Sequence, residues 1–79
     1  MYIRWQEGVT DYFGTVYYRE GRELVIGYAE NDYQPGPFVL PLENLNKRYQ
    51  EITIEKYYDL LHQHVILMIK EICRQKGQK

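Results

Sequence analysis

Hydrophobic and polar positions along this chain change period once, and the change divides it into two parts. Tyr2–Gln6 sets Ile3 and Trp5 against Tyr2, Arg4 and Gln6, the two-residue alternation of a half-buried strand. Gly8 then permits a turn. Tyr12–Arg19 is rich in aromatic and β-branched residues, which suit a pleated surface. Glu20-Gly21-Arg22 is a short connection, and Glu23–Glu30 reads as a third strand, so residues 12–30 predict a hairpin. Asn31–Pro37 reads as a loop, with two prolines flanking a glycine and Asn and Asp favouring turns. Phe38–Leu42 returns as a short strand that Pro41 ends or confines to an edge.

Beyond residue 50 the period becomes helical. Thr53 is an N-cap residue, and Glu55 falls in the first turn, where negative charge suits the helix dipole. Ile54, Tyr58, Leu61, Val65, Met68 and Ile72 form one apolar stripe at helical spacing. Lys70, Arg74 and Lys76 occupy the last turns, and Gly77 is a stop signal. Between Pro41 and Gln50, Leu42, Leu45 and Tyr49 are helically spaced, but Asn44 and Asn46 oppose a helix there. The predicted fold is therefore α+β. A three- to four-stranded antiparallel sheet, either a meander or a small open barrel, precedes one long C-terminal helix. Residues 1–79 form one domain, with the β meander over 1–42 and the helix over 53–76.

The helix carries a second message. Residues 65–69 (Val-Ile-Leu-Met-Ile) are apolar all the way round a turn, whereas a helix on a single sheet face keeps a polar back. Residues 53–76 span about 36 Å as a helix. A compact chain of this length is about 30 Å across. The middle of the helix therefore asks for cover on more than one side, from a wrapping sheet or from another chain. Ile66, Leu67, Ile69 and Cys73 are the candidate dimerisation residues of a homodimer.

Charge refines the picture. The chain of 79 residues has ten Lys/Arg against eleven Asp/Glu, a formal net charge of −1. That average conceals an asymmetry. Glu7–Glu43 holds seven acidic and two basic residues, whereas Asn44–Lys79 holds four acidic and seven basic ones. An acidic, strand-forming front disfavours nucleic acid, whose phosphates it repels. No apolar run approaches the roughly 18–20 residues of a membrane span. The first residues lack the apolar stretch of a signal peptide, and a single cysteine excludes an internal disulfide, so a cytoplasmic location is expected.

Chemistry-bearing constellations are few. His62 and His64 stand about 200° apart on a helix and cannot converge on one ion, and Asp59 with His62 lacks further ligands. The chain contains no serine, and its one thiol, Cys73, sits near the helix C-terminus, where the dipole opposes a thiolate. No phosphate-binding glycine loop and no metalloprotease or calcium-loop spacing occurs. These observations predict a non-enzymatic protein with no metal and no cofactor.

The unusual feature is nine tyrosines, concentrated in the acidic front. Tyrosine supplies large contact area at low entropic cost and is enriched at interfaces. Tyr12, Tyr17, Tyr18, Tyr28, Glu30, Asp32, Tyr33 and Phe38 are the candidate partner-binding residues, with Tyr33 the expected exposed anchor. Tyr57 and Tyr58 are expected to be core rings. The expected function is non-catalytic protein binding, in the manner of a small inhibitor or immunity-type protein of phages or mobile elements. Its acidic, tyrosine-rich surface would cover a basic site, such as the nucleic-acid groove of a partner. Two alternatives compete: nucleic-acid binding by a small SH3- or OB-like barrel, and a purely structural homo-oligomer.

Overall fold

A computed structural model describes residues 1–30, 34 and 36–77. It is α+β, with five strands rather than three or four. The strands are β1 (Tyr2–Glu7), β2 (Thr10–Arg19), β3 (Arg22–Ala29), β4 (Phe38–Pro41) and β5 (Tyr49–Ile52). They form one antiparallel open sheet in the order β4-β3-β2-β1-β5. A 3₁₀ turn, Leu42–Leu45, carries the chain from β4 toward β5, and α1 (Ile54–Gly77) follows.

The turns follow from local chemistry. Arg19 pairs with Arg22, leaving Glu20 and Gly21 as a two-residue turn with φ of 52° and 79°. Positive φ at both positions matches the twist of the flanking strands. Asn46 and Lys47 are also left-handed, at φ 50° and 61°, and turn the chain into β5. Asparagine is among the residues that tolerate this region best. Thr53 caps α1, its Oγ1 accepting the Lys56 amide at 3.1 Å.

Two cores lie on opposite sides of the sheet. On the first face Ile3, Trp5, Val25 and Leu45 are buried, with Tyr12, Val16, Phe38, Leu40, Leu42 and Tyr49 packed around them. The Trp5 and Phe38 ring centroids are 6.2 Å apart, although their strands, β1 and β4, would lie about 14 Å apart in a flat sheet. The sheet therefore curls over this face, and Leu42 and Leu45 plug it. Curling brings backbones and rings close at the cross-strand pair Gly14 and Gly27. A Cβ on Gly27 would stand 2.8 Å from Trp5 Cη2, and one on Gly14 would strike the Ile26 carbonyl oxygen.

On the second face α1 packs over Phe13, with Tyr57 and Leu60 buried and Tyr2, Tyr28, Ile52 and Leu61 around them. The residues that α1 buries are Tyr57, Leu60 and His64. They lie beside the predicted stripe rather than on it: Ile54, Tyr58 and Ile72 are 45%, 56% and 44% exposed. Tyr58 is accordingly a surface ring, contrary to the sequence reading, while Tyr57 is a core one. All three buried positions fall in the first eleven residues of α1, and the molecule measures 47 × 24 × 24 Å. The long axis is what a helix running past its own sheet produces.

Candidate interaction surface

The charged groups nearest the helix are committed to structure. Arg4 donates from Nε and Nη2 to both carboxylate oxygens of Glu30, at 2.7 and 2.9 Å, and Glu30 is buried. This fork geometry is the strong form of an ion pair. The bonds to Glu30 also hold the Arg4 guanidinium above its ordinary pKa. His64 is buried between rings: its centroid lies 4.7 Å from that of Tyr28 and 6.4 Å from that of Phe13. Its Nδ1 is 3.4 Å from the Ala29 carbonyl oxygen. Burial pushes the Tyr57 phenol above its usual pKa, reinforced by the neighbouring Tyr28, Tyr2 and Tyr58 hydroxyls. Among the described residues no group of three or more His, Cys, Asp or Glu side chains gathers as a metal centre would require. No helix among them is long and apolar enough to cross a membrane.

The structure distributes the sequence-predicted partner residues over several environments. Tyr12 and Phe38 pack edge to face beside Trp5 in the first core, with centroids 5.6 Å apart. Tyr28 lies under α1 in the second core. Glu30 is taken by Arg4. Tyr17 and Tyr18 are neighbours on β2 and so point to opposite faces; Tyr18 is 71% exposed. Asp32 and Tyr33 lie outside the described residues. Of the predicted dimerisation residues, Ile66, Ile69 and Cys73 are exposed and Leu67 is half-buried.

A different surface emerges from the register. Thr15, Ile26 and Val39 share one row of the second face, and Tyr17, Leu24 and Pro41 share the next. Val39 is 57% exposed and the other five are half-buried. This half of the face lies to one side of α1. At 100° per residue, Ile54, Tyr58, Val65 and Ile72 lie on one flank of the docked ridge, and Lys56, Gln63, Lys70 and Arg74 on the other. Gln63, Ile66 and Leu67 line a shallow hollow with Glu30, which places this edge of α1 above the Arg4–Glu30 pair. Exposed apolar residues of the second face therefore occur both on the Tyr58 flank of α1 and on the β2, β3 and β4 half of the sheet.

The sequence contained a trace of this uncovered half. Neither face of β2 or β3 alternates to a plainly polar side, so apolar residues were bound to remain after one face was filled. What periodicity lacked was the helix position, which decides which of them stay uncovered. Comparison with protein-family models, with curated proteins and with solved structures found no match.

Proposed function

We propose that this chain is a non-catalytic protein-interaction module whose contact surface joins the apolar flank of α1 to the open half of its sheet. The observation that carries this reading is the recurrence of uncovered apolar residues on both elements of the second face: Tyr58 and Val65 are exposed on one flank of α1, and Val39 is exposed in the same sheet row as half-buried Ile26.

A photo-crosslinking residue in place of Tyr58 or Val39 tests the reading in cells that make the protein. Both positions should give discrete covalent adducts with a protein chain. The same residue at Val9, which is 95% exposed on the β1–β2 turn, should not. An adduct pattern at Tyr58 and Val39 no different from that at Val9 would refute the assignment.

A further inference from the structure

We propose that the open edge of β5 joins the same edge of a second copy of this chain, antiparallel about a two-fold axis, so that two sheets become one. This contact is separate from the surface proposed above, which lies on α1 and on the opposite half of the sheet. The two outer strands, β4 and β5, differ in what their free sides can bond, and that difference carries the inference.

Two hydrogen bonds fix the parity of the sheet. The Val16 N–H donates to the Met1 carbonyl and the Glu30 N–H to the Asp11 carbonyl, both at 2.8 Å. In an antiparallel ladder alternate residues turn their backbone groups to opposite neighbours, so these bonds and the register settle every strand. On β4, Phe38 and Leu40 face β3, which leaves Val39 and Pro41 facing out. Proline has no N–H, and Pro37 precedes the strand, so Val39 supplies the one outward N–H of β4. Prolines are a common way to close an edge to other strands. β5 lacks this protection. Gln50 and Ile52 face β1, and Tyr49 and Glu51 each turn an N–H and a C=O outward. Both strands have four residues, so length does not separate them. Among the described residues β5 is the last strand of the sheet, with no neighbour beyond it.

The sequence of β5 selects its own copy as partner. With Gln50 on the two-fold axis opposite Gln50 of the second copy, Tyr49 of each strand meets Glu51 of the other, and every outward N–H and C=O of these residues is bonded. The edge is complementary to itself, as an isologous interface must be. Moving the axis to Glu51 would set like charges face to face. Moving it to Tyr49 would leave Glu51 opposite Lys47, whose left-handed backbone, at φ 61°, has already left the strand. The axis stands perpendicular to the sheet, so both copies keep α1 on the same side.

Charge agrees with the direction. At the start of β5, Lys47 and Arg48 outnumber Asp11 beside them, Arg4 there being matched by Glu30. At its other end, Glu51 on the first face and Glu55 at the start of α1 outnumber Lys56. Antiparallel pairing lays each basic start against the acidic end of the other copy. Parallel pairing would set like ends together.

Sedimentation of the purified chain from about 1 to 100 μM reads the stoichiometry, because dimerisation is concentration-dependent. The expected species has twice the 9.6 kDa chain mass. Over the same range, amide hydrogen exchange should slow at Tyr49 and Glu51 and stay unchanged at Val39. Glu51→Pro removes an outward N–H and leaves the bonds to β1 in place. Two ladder bonds are then lost per dimer, and association should weaken at least about 10-fold. Val39→Pro makes the same change on β4 and should leave the dimer intact. Register is read from disulfide formation. Gln50→Cys, with Cys73→Ser removing the native thiol, should link two copies on mild oxidation, since directly opposed Cβ atoms stand about 4.5–5.5 Å apart. Glu51→Cys in the same background faces Tyr49 and should not link. A chain monomeric at every concentration, whether or not another protein's strand takes the edge, overturns the second copy as occupant. A dimer in which Tyr49 and Glu51 exchange as fast as in the monomer overturns the β5 contact, and that measurement on the parent stands even if Glu51→Pro fails to fold. Preferential linkage through Glu51→Cys overturns the register.

Discussion

Gly14→Ala and Gly27→Ala add the same methyl group to two glycines that face each other across β2 and β3, yet the structure predicts different costs. At Gly27 the new Cβ would meet ring atoms, Trp5 Cη2 at 2.8 Å and Phe38 Cζ at 2.9 Å. Rings at the end of two torsions can tilt, so the cost is that of ordinary overpacking, about 1–3 kcal/mol. Part is offset by the reduced freedom of the unfolded chain, worth about 0.4–1 kcal/mol. At Gly14 the obstacles are the Ile26 carbonyl oxygen and the Gly27 Cα, the latter 3.0 Å away. Neither can move without deforming the β2–β3 ladder, so the upper end of that range, about 3 kcal/mol, is the minimum expected. A chain of this length has a total stability of about 4–12 kcal/mol. At about 4–8 °C per kcal/mol, Gly14→Ala should lower Tm by about 12–24 °C, and Gly27→Ala, at about 0–2.6 kcal/mol net, by less. Urea titrations at one fixed chain concentration measure the difference, with Trp5, the sole tryptophan, reporting on the first core and far-UV circular dichroism on the whole. If both variants stay within about 0.5 kcal/mol of the parent, the size of an ordinary surface substitution, the curl inferred at this pair is wrong. A larger loss at Gly27 than at Gly14 would equally refute the distinction between movable rings and fixed backbone.

Two further outcomes follow from the second face. Arg4→Met leaves the Glu30 carboxylate buried without its fork and should cost about 1–3 kcal/mol, moderated because the Arg4 side chain is 39% exposed. Adding Glu30→Gln should recover part of that loss, and strictly additive losses in a double-mutant cycle would show that the pair is not coupled. Tyr57, with its folded pKa raised, keeps its proton in the folded state above its ordinary 10.0, where the unfolded chain has begun to release it. Its contribution is complete below pH 10 and declines as pH rises toward the folded value. Tyr57→Phe should remove that part of the alkaline decline, and an unchanged slope of stability against pH above 10 would contradict the assignment.

The elements with a clean period were legible in the sequence. β1, β2 and β3 lie within one or two residues of the alternating segments, and Pro41 marked β4 as an edge strand. α1 runs over Ile54–Gly77, as its cap and stripe required. β5 was missed because four residues, Tyr49–Ile52, hold only one full alternation. Tyr49 is also helically spaced from Leu42 and Leu45, which made a helical turn the better local reading. Leu42 and Leu45 did become helical, as a 3₁₀ turn, but their partners are Ile3, Trp5 and Val25 from distant strands. The docked face of α1 was hidden for a related reason. Two apolar ridges overlap on this helix, and the one that docks includes a histidine, so hydrophobic period favoured the other. The cover wanted on several sides was visible in residues 65–69. The uncovered half of the sheet depends on strand register, which spacing alone does not contain.

The strand order also prescribes when the fold can be completed. β1 lies between β2 and β5, so Tyr2 faces Thr15 across one boundary and Ile52 across the other. The first pairing closes a short loop, and the second must enclose almost all of the sheet. Closure entropy grows with the enclosed length, and contacts so far apart in sequence are the slow ones in folding. Until β5 arrives, one edge of β1 is an open template for foreign strands. The same arrival brings Thr53 and the start of α1 to the second face, so one late event seals the exposed strand and seats the helix.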